Sequence, residues 1–143
     1  MPLRQNPSGG PTVLLVEDEP DTAEAVSRAL GAQGFDVRVG RDGPESLQMA
    51  KDLQPFAAIV DIGLPDGMDG YEVGRQLRSR LGPKLRLFAL TGYGSDVDKE
   101  RARMASFDAH MVKPADVNKL AMWLKTDQQL WLSPGRDGAA GRR

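Results

Sequence analysis

Five polar residues each stand at or just beyond the end of a short, largely apolar run. Glu17 and Asp18 follow VLLV, Asp61 follows FAAIV, Thr91 follows LFAL and Lys113 follows AHMV. If the runs are parallel strands, ligands bind beyond their carboxyl ends, and the five side chains gather on one edge. Two carboxylates about 4 Å apart repel by roughly 4 kcal/mol at an effective dielectric near 20. Three acids so placed either take up protons or recruit a divalent cation. Mg2+ suits such a set because it combines a few carboxylates with waters and phosphate oxygens. Lys113 is then a point-charge donor to a phosphate oxygen and the Thr91 hydroxyl a second donor. One carboxylate remains to act as a nucleophile, forming a mixed anhydride with a phosphoryl group.

The elements that must position these groups alternate along the chain. Strands are predicted over 13–16, 35–39, 56–60, 85–90 and 109–112. Pro20 suits the first turn of a helix, where its missing N–H costs nothing. Ala23, Val26, Ala29 and Leu30 share one face of that helix, and Gly34 ends it. Further helices are predicted over 44–53, with Leu47 and Ala50 inward; over 70–81, with Val73 and Leu77 inward; over 96–107; and over 115–125, extending to about 132. Five strands alternating with five helices imply an α/β fold, a parallel sheet covered on both faces. Residues 1–11, with three prolines and two glycines, are expected to be a disordered lead-in, 12–132 one domain and 133–143 a flexible tail.

Composition excludes several alternatives. The 143-residue chain fits one domain. It has no cysteine, which removes disulfides, thiol nucleophiles and Cys-based zinc sites, and its one histidine, His110, cannot build a multi-His metal centre. A formal net charge of -1 provides no general attraction to nucleic acid or an anionic membrane. The N-terminus contains no signal-peptide-like run and no apolar stretch is long enough to span a bilayer. A cytoplasmic location without direct nucleic-acid or membrane partners is the simplest expectation.

The segments LLVEDEPD (14–21), VDIGLPDGMDGYE (60–72), ALTGYG (89–94) and VKPAD (112–116) resemble the receiver domain of response regulators in two-component signalling, over roughly residues 12–127. The resemblance implies a five-stranded sheet in the order 2-1-3-4-5 with five flanking helices, a flavodoxin-like arrangement. The rule placing ligands at such a strand edge counts a chemotaxis receiver among its own examples. The same resemblance implies Asp61 as phosphoacceptor, Asp18 as a direct Mg2+ ligand, Glu17 acting on the metal through water, and the Gly63 backbone carbonyl as a further ligand. It implies that Thr91 binds the phosphoryl group and reports its arrival, that Lys113 pairs with it, and that Lys113-Pro114 is cis. The switch position three before Lys113, often aromatic in the family, is His110 here, and a histidine there would respond to pH near neutrality. The implied partners are a sensor histidine kinase or histidine phosphotransfer protein and a downstream protein. One form of output is a phosphorylation-dependent dimer.

The loop after Asp61 is one residue longer than the usual pattern, with Gly70 nine positions on. Tyr93 and Gly63, each two residues beyond a site residue, are placed to influence water access. Each site residue also has a plainer reading: Asp61 as a loop cap, an acid near Pro20 as a helix cap, Lys113 as a surface lysine, His110 as a half-exposed strand residue, Trp123 as packing. Occurrence of the polar groups together, in order, favours the functional reading. The competing functions are a receiver module derived from a hybrid histidine kinase, a constitutive binding module, and a phosphatase working through an aspartyl-phosphate. The last expects a second acid two residues after the nucleophile, where this chain has Gly63. Beyond catalysing its own phosphorylation and dephosphorylation, no enzymatic role is expected. With only a polar tail after about residue 132, output is expected to be altered protein binding.

Overall fold

A computed structural model describes residues 10–65, 67–92, 100 and 106–132, with side chains among these up to residue 126. Five strands, β1 (Thr12–Val16), β2 (Asp36–Gly40), β3 (Ala57–Asp61), β4 (Arg86–Thr91) and β5 (Ala109–Val112), form one sheet. All pairs are parallel and the order is β2-β1-β3-β4-β5, as expected. Four helices are described from end to end, α1 (Pro20–Ala32), α2 (Gly43–Leu53), α3 (Gly70–Leu81) and α4 (Val117–Leu132), and Glu100 between β4 and β5 is also helical. None is long and apolar enough to cross a membrane.

The central strands are apolar on both sides because both faces are covered. Leu14, Val16, Ala58 and Val60 meet α2 and α3 through Leu47, Ala50, Val73 and Leu77. Val13, Leu15, Ala57 and Ile59 point the other way, to Ala23, Val26 and Leu30 of α1 and to Leu120, Ala121 and Leu124 of α4. Trp123 packs as the plainer reading has it, its ring centroid 5.1 Å from that of Phe88.

Boundaries move where side-chain chemistry outweighs the apolar pattern. Phe35 lies in the core and stacks on Phe56 at 6.2 Å, while β2 starts one residue later, at Asp36. Asp36 is nonetheless buried, held by Arg38 at 3.0 Å. Helix α1 ends at Ala32 with Gln33 as its C-cap, and Gly34 turns the chain at φ 101°. Helix α4 begins at Val117, two residues later than expected, because the Asp116 carboxylate accepts from Lys119 N at 3.1 Å. The helix predicted over 96–107 falls mostly outside the described residues. Its last two positions are not helical: Ser106 has φ 73° and Phe107 leads into β5. The expectations for residues 1–9 and 133–143 lie outside the described residues too.

Candidate functional site

The register of β1, β3, β4 and β5 forms a staircase. Val16 pairs with Val60, so Glu17 and Asp61 leave adjacent strands at the same level. Asp61 pairs with Leu90, and Thr91 follows one step beyond. Thr91 pairs with Val112, and Lys113 is again one step beyond, its amide donating to Thr91 O at 2.7 Å. Glu17, Asp61 and Thr91 are buried, at 1%, 3% and 2% exposed, and Asp18 is half-buried.

One oxygen each from Glu17, Asp18 and Asp61 lies within 4.8 Å of the other two. The acidic triplet divides at Glu19, which turns away to cap α1, its carboxylate accepting from Thr22 N at 2.7 Å. Glu19 still serves its neighbour, since its amide donates to Glu17 Oε2 at 3.1 Å. Glu17 Oε1 is buried with no hydrogen-bond partner among the described residues. A buried carboxylate oxygen left so is costly, and it faces the kind of site that a hydrated cation completes.

Asp61 Oδ1 accepts from the Gly63 amide at 2.9 Å and from Lys113 Nζ at 2.9 Å. Its backbone is clamped from behind by α3. A Cβ on Gly70 would fall 2.5 Å from Asp61 O and 2.5 Å from Ile62 Cα, so only glycine lets the helix start this close. The Lys113-Pro114 bond is cis. His110 is half-buried on β5, opposite Ala89. Tyr93 lies outside the described residues, as does Asp66 in the lengthened loop.

The charges are unbalanced. Burial, reinforced by the neighbouring Asp61 carboxylate, pushes Glu17 up to about 7, even though the Glu19 amide and Lys113 pull it down. Burial opposes the charge on Lys113, but its hydrogen bond to Asp61 and the surrounding acids outweigh this and raise its pKa. Opposite ligands of an octahedral Mg2+ lie about 4.2 Å apart. The three oxygens, all within 4.8 Å of one another, fall on that scale.

Sequence reasoning brought together Glu17, Asp18, Asp61, Thr91 and Lys113, and the structure places them on the one edge. The cap weighed for an acid near Pro20 falls to Glu19, which leaves Glu17 and Asp18 beside Asp61. Sequence reasoning missed Gly70 as the residue that seats α3 against Asp61.

Comparisons with known proteins bear on the family and the fold. The response regulator receiver domain family matches over residues 13–125. The probable transcriptional regulatory protein TcrX of Mycobacterium tuberculosis is 33% identical over 114 residues, covering 80% of this chain and 48% of its own. An uncharacterised 14.6 kDa protein of Leptolyngbya boryana is 31% identical, covering 73% of this chain and 79% of its own. The chain spans about half the length of the mycobacterial regulators it matches. Among solved structures, a putative response regulator from Chloroflexus aurantiacus superposes with a TM-score of 0.77 at 30% identity, covering 84% of this chain and 98% of its own. The Vibrio cholerae chemotaxis protein CheY4 gives 0.74 at 28% identity, covering 85% and 98%. Fold, strand order and family match coincide, and the chain belongs to the response regulator receiver domain family.

Proposed function

We propose that this receiver is switched by phosphorylation of Asp61. The observation that carries the reading is the meeting of three carboxylate oxygens within 4.8 Å with a lysine ammonium 2.9 Å from one of them. Asp61 attacks the phosphorus of a phosphohistidine on a sensor kinase or phosphotransfer protein. An O–P bond forms, the P–N bond breaks, and the donor's imidazole, already protonated on its other nitrogen, leaves as the neutral ring. Asp18 and Asp61 are the direct ligands we assign to Mg2+, with Glu17 acting through water and Gly63 contributing its carbonyl. The ion supplies charge neutralisation between carboxylates and the phosphoryl oxygens. Lys113 and the Thr91 hydroxyl then hold the phosphoryl oxygens, and His110 follows the movement of Thr91. Such a gain of charge biases a two-state equilibrium by typically about 1–3 kcal/mol. Altered protein binding, in a cytoplasmic setting, is the output, with dimerisation on phosphorylation as one form of it.

Acetyl phosphate with Mg2+, read by intact mass, tests this. One phosphoryl group should be added, and Asp61→Asn should abolish it. An unmodified wild-type chain would leave a constitutive binding module, and steady turnover of a small phosphate ester would favour a phosphatase.

A further inference from the structure

At the end of the sheet opposite Asp61, a second constellation of charges sets the position of β5. The Arg78 guanidinium on α3 donates from Nη1 to Gly82 O at 3.0 Å and Leu85 O at 2.6 Å. Its Nε and Nη2 reach Ser106 O at 3.3 and 3.0 Å, and Nη2 also meets Asp108 Oδ2 at 2.9 Å. One side chain therefore ties the end of α3, the approach to β4 and the approach to β5 together. Asp108 in turn engages both backbone groups of Leu87, accepting from its amide at 2.8 Å and donating to its carbonyl at 2.7 Å. One turn before Arg78, Gly74 makes room for Phe107, whose Cζ would lie 2.5 Å from a Cβ there. Ser106 sits at φ 73°, a conformation that a non-glycine residue holds only when its surroundings impose it.

Strand β5 needs such an anchor. It has four residues and one strand neighbour, so its own ladder specifies register weakly. A slip of one residue would turn every side chain to the opposite face and carry Lys113 away from Asp61. We infer that Arg78, acting through Asp108 and the register of β5, is a positioning residue for Lys113 in phosphorylation of Asp61. It touches none of the reacting atoms, since four residues of strand, about 13 Å, lie between the clamp and Lys113. The inference rests on the proposed function of Asp61.

Phosphorylation rates with acetyl phosphate and Mg2+ should be compared for the wild type, Arg78→Ala, Lys113→Ala and the double variant. Arg78→Ala should slow the reaction about tenfold or more, the scale on which a misplacement of about 1 Å acts. In the Lys113→Ala background it should change the rate less than about twofold, the ordinary error of additivity. The Mg2+ dissociation constant should hold within about the same factor, because Glu17 and Asp18 belong to the loop after β1 and Asp61 to β3. A wild-type rate for Arg78→Ala, or an equal loss with and without Lys113, overturns the inference. If Arg78→Ala melts without cooperativity, Asp108→Asn takes its place, keeping an acceptor for Leu87 N while discharging the partner of Arg78, with the same outcomes decisive. A wild-type rate for Lys113→Ala alone would instead remove the proposed role of Lys113, and the inference with it.

Discussion

Lys113 Nζ and Asp61 Oδ1 stand 2.9 Å apart although β4 separates the strands that carry them. Removing the ammonium leaves Asp61 buried beside Glu17 without its charged partner, while the Gly63 amide still donates to Oδ1. Lys113→Ala is expected to slow phosphorylation by about 10²-fold, the scale of losing one preorganised charge-stabilising donor. The stability loss should be about 1–2 kcal/mol, less than for a fully buried pair because the Lys113 side chain is 36% exposed. Intact mass against time and urea melts measure the two effects.

Glu17 is expected to make the metal-free protein less stable as pH rises. Its folded pKa of about 7 lies above the ordinary 4.5, so the folded chain binds the proton more tightly than the unfolded chain. The penalty is absent below about pH 4.5, grows as pH rises and is complete above about 7, reaching on the order of 2–3 kcal/mol. Glu17→Gln should flatten this slope and raise the metal-free melting temperature at pH 8 while leaving it little changed at pH 4.5. An equal slope in the variant would assign the pH dependence to other groups.

The same proton competes with a cation. Mg2+ affinity is expected to be about tenfold weaker at pH 6 than at pH 8, with nearly one proton released per ion at the lower pH. Titration calorimetry in buffers of different ionisation enthalpy counts that proton. In Glu17→Gln the release should vanish.

Two glycine-to-alanine changes should have opposite signs. Gly70→Ala drives a Cβ into Asp61 O and Ile62 Cα, backbone atoms that cannot swing aside, and should cost about 1–3 kcal/mol and slow phosphorylation. Gly31 lies in α1 with nothing within 4 Å of its added Cβ. Gly31→Ala should stabilise by about 0.5 kcal/mol without altering the rate. Thermal melts paired with the phosphorylation assay separate the two.

The strands and the gathered site were legible because they are local patterns: an apolar run ending in a charged or hydroxylic residue marks both the strand and its functional end. What escaped was long-range or positional. Arg78 and Asp108 are 30 residues apart, and in sequence each is one more polar residue next to a helix end or strand start. Asp36 looked like the outward member of an alternating strand until Arg38 and the close of β2 over β1 buried it. Glu17, Asp18 and Glu19 are chemically near-equivalent, and only the direction of the chain into α1 assigns one of them to a cap.

The strand order distributes stiffness unevenly. β1 and β3 each have partners on both sides, whereas β5 is a four-residue margin with one. The acids thus follow or end strands paired on both sides, and the lysine follows a strand paired on one. If Asp61 takes up a phosphoryl group as proposed, the added charge is expected to draw in the margin while the acidic pocket keeps its shape, leaving reception and output to different strands.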